Sequence, residues 1–447
     1  MSVLTAVALV LLGIGGAYAQ TPRLWRVDLE TGALGPLQTH IELNEKGGGL
    51  VGRSLSGALP RIQALPRAPE LDGALFAFEA ERAAEGYRGR VTAPWPDGDI
   101  VVRLEGDRLE GRIEGGLFNG SFSGVPVDRV EPVRDYAAVL AALDRTVSSK
   151  IFDPRLLQTA AYGRFRDRFG AVAREAADDL DFALGFRFAW TGEPFSHFDV
   201  RRAPVPAAAM MQHFDGMRLG HRAATVAFDG EVAVLRVETM MGNDTIEYIE
   251  AAYDSIAAAG AAALIIDLRG NGGGAFAVKP LVEHVLAAPL EAGCFVSQQW
   301  YAAHGRLPER HEMLETEAWS GWSIVGFWHR VQEAGLTRLR FAPAAPHFGG
   351  PVYVLLDGGS ASATELAADA LRASGRATLV GEKTPGHMLS QSPFDLAEGF
   401  VVFLPVADYA SAAHGRIEGV GVPVDVEVPG DEALARAKAL ARRALAR

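Results

Sequence analysis

The sequence predicts a multidomain α+β protein: a small antiparallel β module, a helical segment, and a core in which strands and helices alternate in α/β fashion. Three observations lead there. Residues 20–130 run in short alternating stretches broken by glycine. Near Asp135 the apolar period lengthens to that of a helix. From about Thr225, apolar strands and amphipathic helices take turns. A chain of 447 residues has room for two or three domains. With 49% hydrophobic and 22% charged residues, it can bury a large core and is not a disordered chain. Its 43 basic and 55 acidic residues give a net charge of −12, which argues against nucleic acid as a partner. The single cysteine, Cys294, excludes an internal disulfide and an all-cysteine metal site.

Residues 1–19 form a separate object. They carry no charged side chain, contain the run Val7–Leu12, and end Ala17-Tyr18-Ala19 before Gln20. An apolar stretch closed by a small-x-small pattern reads as a secretory signal peptide, so the mature chain is expected to be secreted or periplasmic. The run is too short to span a bilayer, and no later stretch is apolar enough to do so.

In the β module (20–130), Leu24–Leu29, Ile100–Glu105, Arg108–Ile113 and Leu117–Val125 have the pattern of strands separated by turns. They fit a small sandwich or a barrel, and no catalytic grouping stands out among them. In the helical segment (131–200), Tyr136, Val139, Leu140, Leu143 and Val147 share one face. The segment ends in Phe195-Ser196-His197. The core (201–447) is expected to hold strands at Val232–Val237, Ala263–Leu268 and Val352–Leu356. Helices are expected at Asp244–Ala259, Phe276–Ala287 and Ala363–Ala373. Residues 303–347, with Trp319, Trp322 and Trp328, break that rhythm and read as a partly helical insertion.

Two segments carry chemistry. In Leu264–Gly274 an apolar strand runs into Gly270-Asn271-Gly272-Gly273-Gly274. Glycines there let backbone N–H groups approach a ligand, which suits an oxyanion or a phosphate. A tight turn, or a fragment of a dinucleotide fingerprint, accounts for the same residues. In Val354–Glu365 a buried strand ends, small residues turn the chain, and Ser362 falls at the start of a helix. A serine there is either an N-cap, with Glu365 completing a capping box, or a nucleophile favoured by the helix dipole.

Taken together, these segments resemble the serine peptidase family of carboxyl-terminal processing proteases, tricorn protease and interphotoreceptor retinoid-binding protein. Asp267–Gly274 is similar to the family's D-x-R-x-N-x-G-G, and Ser360–Glu365 to its S-A-S-A-x-E. Gly381–Gly386 is similar to its G-E-x-T-x-G. The resemblance covers roughly residues 135–430 and implies a crotonase-like (ββα) core with Ser362 as nucleophile. In the processing-protease branch a lysine follows the third motif as base; this chain has His387 there, and Lys383 lies four residues earlier. About 27 residues separate His197 from Thr225, too few for the PDZ domain of that branch. The tricorn-like branch matches better. Its histidine follows a serine ahead of the core, as Ser196-His197 does, and its glutamate fits Glu418 in Glu418-Gly419-Val420.

The resemblance implies that His197 takes the Ser362 proton and that Glu418 orients it, directly or through Ser196 or a water. The backbone N–H groups of Gly272 or Gly273, with Ala363, would hold the oxyanion. His387 and then His414 are the rival bases among eleven histidines. The implied function is an exported serine peptidase acting on protein or peptide, with no metal or organic cofactor. A non-catalytic binder of an apolar ligand or peptide on the same scaffold, or an esterase-type acyl hydrolase, are the alternatives. The pairing His311-Glu312 lacks the second histidine of a zincin, and neither a G-x-S-x-G elbow nor a Walker loop occurs.

Overall fold

The computed structural model describes residues 22–447 apart from 33, 56–57 and 60–67. The signal peptide expected over 1–19 lies outside the described residues. The chain divides into two compact units. The first runs to Arg134 and also takes in Glu175–Phe182; the second is Asp135–Arg174 with Ala183–Arg447.

The first unit is a closed barrel of eight strands in sequence order. They are β1 (Arg23–Thr31), β2 (Gly35–Lys46), β3 (Gly49–Ser54), β4 (Ala77–Ala83), β5 (Gly86–Thr92), β6 (Gly98–Glu105), β7 (Arg108–Glu114) and β8 (Gly120–Pro126). Each neighbour pair is antiparallel, and β8 closes on β1 with Thr31 opposite Gly120. Closure removes free edges, which decides between the sandwich and the barrel that the sequence left open. Along β1, buried Trp25, Val27 and Leu29 alternate with exposed residues, as one filled face requires. Three buried aspartates from the 175–182 stretch fasten to this unit. The Asp178 carboxylate accepts from Thr39 Oγ1 at 2.8 Å, and Asp179 accepts from the Gln38 N–H at 2.9 Å. Asp181 accepts from the Ala58 N–H at 2.9 Å.

The second unit starts with α1 (Tyr136–Lys150), α2 (Ala160–Glu175) and α3 (Asp179–Ala189), the last two reaching into the stretch assigned to the first unit. Then come β9 (Asp199–Arg202) and α4 (Ala207–Gly216). Alternation follows through β10 (Ala224–Asp229), β11 (Val232–Val237), α5 (Asn243–Ala258), β12 (Ala263–Asp267), α6 (Val278–Glu283) and β13 (Leu290–Ser297). After two short helices come β14 (Ala318–Trp319), α7 (Ile324–Glu333) and β15 (Leu336–Phe341). The chain finishes with β16 (Val352–Leu356), α8 (Ala363–Ala373), β17 (Ala377–Gly381), β18 (Leu389–Asp395), β19 (Phe400–Ser411), β20 (Gly415–Arg416), β21 (Val426–Glu427) and α9 (Ala433–Leu445). Among the described residues no helix is long and apolar enough to cross a membrane.

Two sheets result. One has the order β10-β11-β12-β16-β17-β21, parallel from β11 onward. The other is β14-β15-β13-β19-β18, with β9 and β20 added on β19. Every residue of β12 and β16 is buried, as expected for strands covered on both faces. On one face of the first sheet, Ala433, Ala437 and Ala441 of α9 pack on Ile265 and Leu355. On the other, the main core gathers α5, α6 and α8 together with Phe295 of β13 and Tyr409 of β19. Residues 303–347 are thus more than an insertion, because β15 pairs with β13 inside the second sheet. Apart from 131–134 and 175–182, the helical segment belongs to the same unit as the core: Tyr136 of α1 meets Phe400 of β19 edge-on, with ring centroids 6.3 Å apart.

Candidate active site

Three parallel neighbours bring three motifs to one edge. Asp267 of β12 lies opposite Leu355 of β16, and Leu356 of β16 lies opposite Gly381 of β17. Each strand ends there, so the glycine loop after β12, the serine turn after β16 and the 382–388 loop after β17 leave the sheet side by side. Loops at the carboxyl ends of parallel strands are where such sheets hold ligands.

Ser362 sits between β16 and α8 with φ +58° and ψ −121°. A non-glycine residue in that conformation costs about 1–3 kcal/mol and persists only where its surroundings impose it. Glu365 supplies part of that restraint. Its buried carboxylate accepts from the Ser362 N–H (3.0 Å), Thr384 Oγ1 (2.6 Å), the Gly386 N–H (2.8 Å) and the His387 N–H (2.8 Å). Burial pushes its pKa up, and these donors pull it back. Glu365 therefore does more than cap its helix, because it ties the serine turn to the 384–387 loop.

The glycine loop is held as tightly. Arg269 grips Asp267 through two hydrogen bonds of 2.8 and 2.7 Å and donates to the Gly430 carbonyl at 2.6 Å, which makes Asp-x-Arg a structural clamp. Buried Asn271 donates to the Val237 carbonyl at 3.0 Å, and its Oδ1 accepts the Gly273 N–H at 2.9 Å. Gly273 therefore differs from the expectation that it offers a free donor. Its part is steric: a Cβ there would lie 2.7 Å from Ser362 Cβ, with φ at +93°. Among the described residues, the N–H groups of Gly272 and Ala363 meet no acceptor, and both residues line the cavity that contains Ser362.

His197 lines the same cavity. Ser196 and Glu418 stand behind it, both buried. Glu418 accepts from the Ser196 N–H (2.8 Å), Ser196 Oγ (3.0 Å) and the Met388 N–H (2.7 Å). Ser196 Oγ is 2.7 Å from His197 Nδ1. One proton arrangement satisfies the whole chain: the Ser196 hydroxyl donates to Glu418 and His197 Nδ1–H donates to Ser196 Oγ. Nε2 is then left with a free lone pair. Burial, with the charge of His387 as a second cause, lowers the His197 pKa to about 4. The imidazole is thus neutral at neutral pH, the state a base needs.

The rival histidines have other surroundings. His387 is exposed and tied through its backbone to Glu365. His414 Nδ1 lies 2.6 Å from buried Asp369 on α8, seven residues beyond Ser362. Lys383 is exposed, in the loop ahead of Thr384. Sequence reasoning missed Asn271 as the brace of the glycine loop and Thr384 as the link to Glu365. Both occupy fixed letters of the motifs, which was the signal available.

Residues 231–428 match the model of peptidase family S41. A carboxyl-terminal-processing protease from Picosynechococcus sp. is 30% identical over 199 residues, which are 44% of this chain and 39% of that protein. One from Synechocystis sp. is 34% identical over 172 residues, 38% of this chain and 32% of that protein. The matches thus span less than two fifths of these relatives' length. Among solved structures, a lipoprotein from Streptococcus agalactiae superposes with a TM-score of 0.46 at 12% identity, covering 71% of this chain and 99% of that one. The strand-end motifs and the match over 231–428 point the same way: this region of the chain is similar to peptidase family S41.

Proposed function

We propose that this protein is a serine peptidase that hydrolyses peptide bonds through Ser362, His197 and Glu418. The observation that carries the reading is the hydrogen-bonded chain Glu418–Ser196–His197, whose histidine lines the cavity that also holds the strained Ser362. In this mechanism Ser362 Oγ attacks the carbonyl carbon while its proton passes to His197 Nε2. Glu418 stabilises the resulting imidazolium through the Ser196 hydroxyl. The carbonyl oxygen, now an oxyanion, takes hydrogen bonds from the Gly272 and Ala363 N–H groups. As the tetrahedral species collapses, His197 returns the proton to the leaving nitrogen, and water later releases the acyl group by the same steps in reverse. Each residue keeps the role its position in the family motifs implies, except Gly273, whose N–H is already donated.

The leader-like residues 1–19 support export of the mature chain, and the similarity to carboxyl-terminal-processing proteases supports a protein or peptide substrate. The test is hydrolysis of an unfolded polypeptide substrate by the purified mature chain. Wild type is expected to release new amino termini, with Ser362→Ala and His197→Ala each lowering the rate by about 10⁴-fold or more. A Ser362→Ala protein as active as wild type would end this reading.

A further inference from the structure

The region that sequence analysis set aside as an insertion lines the cavity beside Ser362. The cavity encloses about 340 Å³, near the lower end of the roughly 300–1,000 Å³ typical of small-molecule sites. Phe276 follows the glycine loop, and Phe295 comes from β13. Trp319 of β14, with Phe327 and Trp328 of α7, completes an aromatic wall. These rings brace one another. Phe327 makes edge-on contacts with Phe276, Phe295 and Trp319 at centroid distances of 5.7, 5.2 and 5.9 Å. Trp328 meets Phe214 of α4 at 5.7 Å. A cavity walled by mutually packed rings is formed in advance of its ligand, so filling it costs little reorganisation.

The charges in the wall have one sign. Lys279 and Arg340 line the cavity, and among the described residues that line it there is no aspartate or glutamate. Lys279 Nζ lies 4.0 Å over the ring of Trp322. A lysine or arginine side chain entering here would meet cations and no carboxylate. A small side chain would leave the apolar volume unfilled and forfeit its contacts.

Resting on the serine-peptidase reading, we propose that this cavity is the primary specificity pocket. It takes a large, uncharged, aromatic or branched aliphatic side chain on the acyl side of the scissile bond. The side follows from the layout. The wall continues from the two oxyanion donors, through Gly274–Phe276 after Gly272 and through Leu366 one turn beyond Ala363. His197, which lines the cavity as well, has to reach the leaving group from its side of Ser362. Ile324, at the start of α7, lines the same cavity, so enlarging its side chain reduces the volume open to a ligand.

The test uses four peptidyl phosphonates that differ only in the side chain next to phosphorus: Phe, Leu, Ala or Lys. Each reads the acyl-side pocket through its rate of adduct formation on Ser362. The Phe and Leu compounds are expected to react about 10²-fold faster than the Ala and Lys compounds. In Ile324→Trp the Phe-to-Ala ratio is expected to fall at least tenfold. A simple alkyl fluorophosphonate, which needs no pocket, runs alongside. If it labels Ser362 while the four peptidyl compounds react equally or not at all, the pocket inference is overturned and the peptidase reading stands. If it also fails to label Ser362, the peptidase reading itself falls.

Discussion

At the scale of single residues, the proposed base and nucleophile both occupy backbone conformations that side chains seldom adopt, with φ of +57° at His197 and +58° at Ser362. Strain of this kind gathers where geometry is imposed for chemistry. His197 is also poised electrostatically. Burial lowers its pKa to about 4, and the neighbouring charge of His387 adds to the shift. The acid limb of kcat/KM, which follows protonation of the free enzyme's base, should therefore lie near pH 4. Replacing His387 with glutamine removes a repulsion that disfavours the imidazolium, so the His197 pKa should rise and the limb should move to higher pH. A pH profile of the His387→Gln protein checks this; a limb that stays in place or moves down contradicts it. Complete loss of activity would make His387 the base. The choice between these histidines was open in the sequence because both stand at family-matched positions, and only the buried Ser196–Glu418 pair behind His197 separates them.

At the scale of elements, much of the site was legible. The strand at Val352–Leu356 and the helix at Ala363–Ala373 fall where the apolar run and the helical period put them. The helix expected over Phe276–Ala287 is shorter, Val278–Glu283, because the glycine loop extends through Ala275 and Phe276 before the chain can coil. What spacing could not reveal is which loop donors remain free. The Asn271 side chain takes the Gly273 N–H, and that depends on a contact inside the turn. Gly272 carries the resulting prediction. A Cβ there meets nothing within 4 Å, so the position has room for a side chain. Gly272→Pro removes the N–H and is expected to lower kcat by about 10²–10³-fold, with an unchanged far-ultraviolet circular dichroism spectrum. Full activity in that variant would remove Gly272 from the oxyanion hole.

At the scale of the whole molecule, the alternation of β and α stretches located three strands of the first sheet, β11, β12 and β16, and none of the second. Strands β13, β15 and β19 make pairings far along the chain, such as Gly293 with Ser411, and no local period announces such pairings. The barrel was legible as short alternating strands, while its closure depends on β1 meeting β8 nearly a hundred residues later. The proposed catalytic groups follow the same logic. Residues 196–197, 272, 362 and 418 meet only once both sheets are built, so the central claim is about assembly as much as chemistry. The most direct test is the rate at which an alkyl fluorophosphonate modifies Ser362, read by peptide mapping from pH 3.5 to 8 in wild type and in His197→Ala. We expect modification confined to Ser362, rising as His197 loses its proton and level near neutrality, and slowed by orders of magnitude in the variant. An unmodified Ser362 in folded wild-type protein, or equal rates with and without His197, would contradict the account.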